Sequence, residues 1–170
     1  MIHTRLSYHS EHLGRQTSVT ILFPEGKPEN GYPYVILLHP ENGDDTLISR
    51  MTSLERYGED TGFAFVMPDG GTGDYLNVPY YPYEEILGKE LREKLEHFCK
   101  VSKRREDRYL GGFGSGMKAA REICERHPDD YAGLLELPEE NATWEAYDAS
   151  LQETLKKRFR ETGTDSEDRI

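Results

Sequence analysis

The chain has 170 residues, of which 32 are acidic and 21 basic, and its net charge is −11. This length is typical of one domain with a substantial core, and the negative balance disfavours nucleic acids and anionic membranes as partners, because both require clustered positive charge. The basic run 103–105 is followed at once by Glu106 and Asp107, which is typical of a solvated loop.

No apolar segment approaches the length of a membrane span, and polar residues follow Met1. We therefore expect neither a signal peptide nor a membrane helix, and we predict a soluble cytoplasmic protein. Cys99 and Cys124 each lie on the apolar side of a predicted helix, which indicates core thiols and not a disulfide or a metal pair. No cofactor is predicted.

Short apolar runs alternate with helical patterns, which is typical of a mostly parallel sheet with helices on both faces. The first two runs predict a hairpin at the sheet edge with Gly14 near its turn, and the other four predict inner strands buried on both faces. The six predicted strands are residues 4–8, 17–23, 34–39, 63–67, 109–112 and 133–137.

Apolar residues at spacings of three or four predict amphipathic helices. The three stripes are Leu47, Met51, Leu54 and Tyr57; Leu87, Leu91, Leu95 and Phe98; and Trp144, Tyr147, Leu151, Leu155 and Phe159. A further helix is predicted to end at His127, since Pro128 cannot continue it. The last stripe is the strongest and predicts a helix that closes one face of the sheet or forms a subunit contact. We expect one domain over residues 1–160 and a frayed tail over 161–170.

A strand, a glycine-rich turn and the start of a helix meet in the middle of the chain. In the hydrolase nucleophile elbow Gly-x-Ser-x-Gly, the serine sits on a strained turn and its hydroxyl is exposed above the sheet. Here Gly112 and Gly116 take the flanking positions, Gly114 takes the middle one, and Ser115 follows one residue later. Two phosphate loops do not fit, because Met117 stands where one requires glycine and the other lysine.

Ligands of open parallel sheets bind beyond the carboxyl ends of the strands. That surface is predicted to consist of the loops 39–45, 69–74 and 112–116. The loop 75–83 has four tyrosines and two prolines and is predicted to overhang the surface, either as a rigid packed loop or as an aromatic wall for a substrate or partner. The candidate ligand-binding residues are Glu41, Asp69, Tyr75, Tyr80, Gly114 and Ser115.

With this elbow, the strand 34–39 and the segment 65–70, the chain resembles the esterase family that includes tributyrin esterase, esterase D (S-formylglutathione hydrolase) and the feruloyl esterases. The resemblance covers residues 2–138 and includes the segments 53–57 and 105–109. It implies an α/β-hydrolase fold, here shortened at its C-terminal end, and the cleavage of carboxylic esters by a serine, an acid and a histidine in that chain order.

The catalytic positions implied by the resemblance are altered in this chain. Gly114 stands at the nucleophile position, and His39-Pro40 aligns with the family's His-Gly oxyanion loop. Glu41 then stands where a backbone N–H should face the oxyanion, and a carboxylate there opposes the developing negative charge. The family's acid and histidine lie in a further segment without a counterpart here. The resemblance therefore predicts a homologue that has lost ester hydrolysis and serves binding or assembly, with a small ester or carboxylate as its ligand.

The first alternative is a weak carboxylesterase that uses Ser115 with His39, oriented by Glu41, Asp44 or Asp69. His39 is the histidine at the correct end of the sheet, whereas His127 lies about 18 Å from Ser115 along one helix. The competing interpretation of His39 is a structural histidine that stabilises its loop.

The second alternative is a site for calcium or magnesium, which prefer oxygen ligands. Asp44, Asp45, Asp69 and Asp74 would supply the carboxylates. The competing interpretation is a set of solvated loop carboxylates.

The strand 133–137 is predicted to lie at a sheet edge, and a bare edge invites pairing. We therefore expect a homo-oligomer, specifically a homodimer, or cover of this edge by the helix that contains Trp144.

Overall fold

The computed structural model of the chain describes residues 1–71, 75 and 82–160. Its strands are β1 (Ile2–Ser10), β2 (Arg15–Phe23), β3 (Tyr34–Leu38), β4 (Ala64–Pro68), β5 (Arg108–Gly112) and β6 (Gly133–Leu135). They form one sheet in the order β1-β2-β4-β3-β5-β6. The strands β4, β3, β5 and β6 run parallel to one another, whereas β1 and β2 form an antiparallel hairpin that joins β4. β6 is the last strand of the described sheet and not an inner strand buried on both faces as predicted, since Gly133 and Leu134 are only half-buried. Each predicted strand is present, with bounds shifted by up to two residues.

The helices are α1 (Leu47–Met51), α2 (Leu54–Gly58), α3 (Tyr83–Glu85), α4 (Leu91–Phe98), α5 (Ser115–Arg126) and α6 (Trp144–Arg160). A π-helical turn, Ile86–Glu90, joins α3 to α4. The helix α5 ends before His127 and Pro128, as predicted. The predicted tail 161–170 lies outside the described residues.

The helix predicted from Leu47 to Tyr57 is in fact two short helices. Thr52 between them is extended, with φ −128° and ψ 166°. Its hydroxyl donates a hydrogen bond to the Ile48 carbonyl (2.7 Å) and accepts one from the Leu54 N–H (3.3 Å). The Thr52 N–H still donates to the Ile48 carbonyl (3.0 Å), but the Leu54 N–H bonds to the Thr52 hydroxyl instead of a helical carbonyl, and the first helix ends here.

Two residues of the predicted core stripes are exposed instead. Met51 is 41% exposed and Phe98 is 66% exposed. Each is the last residue of its helix, and the backbone becomes extended directly after it. An apolar spacing along a helix therefore does not ensure that its final member is buried.

The sheet separates two apolar layers because side chains alternate along each strand. On β3, Tyr34, Ile36 and Leu38 face the layer that contains α4 and most of α5, while Val35 and Leu37 face the other layer. That second layer is closed by α6, which buries Tyr147, Leu151 and Leu155. The last helix therefore covers a face of the sheet, as its stripe predicts.

Cys99 and Cys124 are both free and half-buried against the first layer. Burial raises the pKa of both thiols, that of Cys124 to about 11, so both remain protonated at neutral pH. Within the described part of the chain, no helix has the length and apolar character needed to cross a bilayer.

Candidate functional site at the degenerate elbow

The turn between β5 and α5 is the glycine-rich turn in which the sequence predicts a nucleophile elbow. Gly114, its middle residue, has φ 56° and ψ −126°, a conformation that strongly favours glycine. The flanking glycines allow close backbone approach: a Cβ on Gly112 would lie 2.6 Å from the Gly116 carbonyl carbon, and one on Gly116 would lie 2.3 Å from the Leu38 carbonyl oxygen. The chain thus retains the sharp turn although it lacks a serine at the middle position.

The space above Gly114 is covered by α6 and the loop that precedes it. A Cβ on Gly114 would lie 3.1 Å from Tyr147 Oη, 3.2 Å from Pro40 Cβ and 3.7 Å from Asn141 Oδ1. Tyr147 Oη is fixed in place, since it donates a hydrogen bond to the Glu140 carbonyl (3.0 Å) and accepts one from a backbone N–H of the same loop (3.2 Å). A side chain at the elbow position would therefore be crowded.

Tyr147 and Asn141 are not among the predicted residues of this site. The apolar spacing predicts Tyr147 only as part of the stripe of the last helix, and its ring does belong to the second layer. The local sequence carries no signal that its hydroxyl reaches the elbow, because that contact joins segments more than thirty residues apart.

Ser115 is the first residue of α5. Its Oγ is buried and has no hydrogen-bond partner among the described residues. The predicted partner, His39, does not reach it.

His39 is 1% exposed, and both of its ring nitrogens are used by the backbone. Nε2 accepts a hydrogen bond from the Gly70 N–H (2.9 Å), and Nδ1 lies 2.7 Å from the Pro40 carbonyl oxygen. This pairing requires the neutral tautomer with its proton on Nδ1. Burial lowers the pKa of His39, against the opposing effect of the bond to Pro40. His39 therefore links the loop after β3 to the loop after β4, which is the structural role of the competing interpretation. The structure does not bring His39 together with Ser115 as a catalytic pair.

Tyr75 supports this arrangement from inside the protein. Its side chain is fully buried, its Oη donates a hydrogen bond to the His39 carbonyl (3.1 Å), and its ring packs edge-on against the His39 ring with centroids 5.4 Å apart. Burial raises the pKa of Tyr75 far above its ordinary value. Tyr75 is thus a packed residue and does not form an exposed wall. Tyr80, the other aromatic candidate, lies outside the described residues.

Asp45 is the buried carboxylate of this region, at 1% exposure. It accepts hydrogen bonds from Arg5 Nε (2.8 Å) and Nη2 (2.9 Å), from Ser18 Oγ (2.8 Å) and from Thr20 Oγ1 (2.8 Å). Burial alone would raise the pKa of Asp45, but the hydrogen bonds from these three side chains outweigh it and the pKa is lowered. Asp45 therefore anchors its loop to β1 and β2, and its oxygens are already occupied.

The other predicted carboxylates also act locally. Asp44 Oδ1 accepts hydrogen bonds from the N–H and hydroxyl of Thr46, of which the hydroxyl bond is the main cause of a lowered Asp44 pKa. Asp69 Oδ1 accepts one from the Gly71 N–H (2.8 Å), and Glu41 is exposed. Within the residues that the structure describes, no three His, Cys, Asp or Glu side chains gather as metal ligands. The structure does not bring Asp44, Asp45 and Asp69 together, and Asp74 lies outside the described residues.

Comparison with solved structures places this geometry in a known fold. S-formylglutathione hydrolase FrmB from Staphylococcus aureus superposes with a TM-score of 0.68 and 22% identity, covering 95% of this chain and 75% of its own. FphF, a fluorophosphonate-binding serine hydrolase from the same organism, has a TM-score of 0.73 and 21% identity over 95% and 74% of the two chains. An S-formylglutathione hydrolase from Agrobacterium tumefaciens superposes with a TM-score of 0.68 and 17% identity, covering 92% of this chain and 68% of its own.

The chain has the α/β-hydrolase fold. The predicted fold class is thereby confirmed, and the solved structures that share the fold include the S-formylglutathione hydrolases and ferulic acid esterases expected from the sequence. No family model and no curated protein matches the chain.

Proposed function

We propose that this α/β-hydrolase-fold protein lacks serine-esterase activity and acts in assembly with another protein. One observation carries the proposal: Gly114 occupies the middle of the elbow, and Tyr147 and Pro40 cover it. Loss of the serine or histidine from a hydrolase triad reduces kcat about a millionfold. A chain without a nucleophile at the elbow retains at most the small contribution of binding and backbone dipoles.

Two features disfavour Ser115 as a replacement nucleophile. Its Oγ has no base within hydrogen-bond distance among the described residues, and the nitrogens of His39 are held by Gly70 and Pro40. Activation of a serine requires a base that can accept its proton. The weak carboxylesterase is therefore the less favoured alternative.

Assembly is favoured over binding of a small ester or carboxylate. Tyr75 is buried, the elbow is covered, and Glu41 and Asp69 would repel an anionic ligand at the same loops.

The test is hydrolysis of a short-chain p-nitrophenyl ester, together with labelling by a fluorophosphonate probe. We expect background hydrolysis and no labelling, with Ser115→Ala indistinguishable from the unaltered chain. FphF serves as the positive control for the probe. Turnover and labelling that both disappear in Ser115→Ala would contradict the proposal and establish Ser115 as a nucleophile.

A second variant tests whether the missing serine is the only defect. Gly114→Ser restores a hydroxyl at the elbow, and Gly114→Ala introduces the same Cβ without it. We expect neither to hydrolyse the ester, since the described residues offer the new hydroxyl no base and the backbone holds both nitrogens of His39. Turnover in Gly114→Ser alone would show that the rest of the catalytic machinery is intact.

A further inference from the structure

The strand β6 forms one edge of the described sheet. β6 pairs with β5 on one side, and no described strand pairs with its other side. Edge strands are usually protected by charged side chains or proline. The opposite edge strand, β1, carries the exposed Arg5, whereas β6 consists only of Gly133, Leu134 and Leu135.

A groove of about 490 Å³ runs between β6 and α6. The helix lies along the strand, since Thr154 Oγ1 donates to the Glu136 carbonyl (3.4 Å) and the Arg158 guanidinium lies 5.3 Å from the centre of the Tyr109 ring on β5. A partner that pairs with the edge of β6 would therefore also contact this flank of α6.

The charges along the groove are balanced. Its lining includes two acidic side chains, Glu136 and Glu153, and two basic ones, Lys157 and Arg158. The chain as a whole, in contrast, carries a net charge of −11. Two strongly acidic copies repel each other over most of their surfaces. A locally neutral patch is the place where they can approach.

The pattern of charge is also self-complementary. Glu153 and Lys157 are exposed and lie one helical turn apart on the flank of α6 that borders the groove. A two-fold axis perpendicular to the sheet would align two β6 strands antiparallel and two α6 helices antiparallel. Glu153 of each copy would then lie opposite Lys157 of the other, so that two equivalent ion pairs form.

We propose that the chain forms a two-fold homodimer through the edge of β6 and the groove flank of α6. The inference rests on the assembly role proposed above and names a second copy as the partner. Its test measures mass and is separate from ester hydrolysis. A monomer without turnover would refute the dimer alone, whereas a dimer with turnover lost in Ser115→Ala would refute the absence of catalysis alone.

The test is sedimentation velocity of the full chain over a range of concentrations, with charge reversals at the groove. We expect a dimer whose dissociation constant rises about tenfold in Glu153→Lys and in Lys157→Glu, because each change replaces two attractions by two repulsions. The double variant Glu153→Lys with Lys157→Glu restores opposite charges across the axis and should restore the dimer. Lys156→Glu is the matched control, since Lys156 lies on the same helix but borders a different groove with Arg56 and Tyr57.

Three outcomes would overturn the proposal. The first is a chain that stays monomeric at all concentrations. The same holds for a monomer in which the Leu134 and Leu135 amides are protected from hydrogen exchange, since another segment would then cover the edge. The second is a dimer that the single reversals leave unchanged. The third is a dimer that Lys156→Glu weakens as much as Lys157→Glu does. Circular dichroism of each variant confirms that the helix is intact.

Discussion

Replacement of Gly114 by alanine measures how tightly the elbow is closed. The backbone conformation of Gly114, with φ 56° and ψ −126°, costs an alanine about 1–3 kcal/mol. Contacts of the new Cβ with Tyr147 Oη at 3.1 Å and Pro40 Cβ at 3.2 Å add overpacking of about 1–2 kcal/mol. We therefore expect Gly114→Ala to reduce the free energy of unfolding by about 3 kcal/mol, which leaves a domain of ordinary stability folded.

Urea denaturation followed by tryptophan fluorescence is the appropriate assay. Trp144 is the single tryptophan of the chain, and its ring packs 5.3 Å from the Tyr147 ring and 6.2 Å from the Phe113 ring. Its emission therefore reports on the cover of the elbow.

Gly14→Ala is the matched control. Gly14 has φ 63°, close to the 56° of Gly114, but a Cβ on Gly14 would have no atom within 4 Å. Gly14→Ala should therefore reduce the free energy of unfolding only by the backbone conformational cost, about 1–2 kcal/mol. Combining Gly114→Ala with Tyr147→Phe removes one of the crowding atoms, so the double variant should be about 1 kcal/mol more stable than the sum of the single losses predicts. Equal losses for Gly14→Ala and Gly114→Ala would refute the conclusion that the elbow is covered.

Three further predictions concern the loops and the core. Asp45→Ala should reduce the free energy of unfolding by about 1–2 kcal/mol, because it leaves the buried Thr20 hydroxyl unpaired, whereas the exposed Arg5 is solvated by water; a loss under about 0.5 kcal/mol in urea denaturation would contradict this anchoring role. The free energy of unfolding should fall as the pH drops below 6.5, the ordinary pKa of histidine. Burial lowers the pKa of His39 in the folded state, so the unfolded chain binds more protons in this range. His39→Gln should remove this part of the pH dependence, and an unchanged slope of unfolding free energy against pH would contradict the prediction. Leu151→Ala should cost about 2–5 kcal/mol, because Leu151 is fully buried between α6 and the sheet, and an unshifted thermal midpoint would show that α6 is not part of the core.

Much of the fold could be predicted because its signals are local. Runs of apolar residues identified the strands, and the antiparallel hairpin around Gly14 and the stop before Pro128 followed from single residues with restricted backbones. The break at Thr52 was missed, since it depends on where a hydroxyl finds its acceptor. Met51 and Phe98 were misassigned because periodicity does not show where a helix leaves the sheet.

The candidate site was predicted less well, because most of its residues make contacts that the sequence pattern does not report. His39, Asp69 and Tyr75 were correctly expected near the carboxyl ends of β3 and β4, but their atoms bond to the protein itself. Asp45 was grouped with neighbouring carboxylates, while its partners lie on β1 and β2. The positions of these carboxylates along the chain suggested a shared metal site, but their side chains bond to different partners.

The sequence by itself determined the order of strands and helices, the glycine elbow and the absence of a serine at its middle position, because each depends on residue type and spacing. Only the tertiary structure decided that Tyr147 covers Gly114, that His39 joins two loops instead of meeting Ser115, and that β6 is the last strand of the described sheet, beside α6. The physical reason is that these contacts join segments far apart in the chain. Their geometry is set by how the layers pack, which no local pattern specifies.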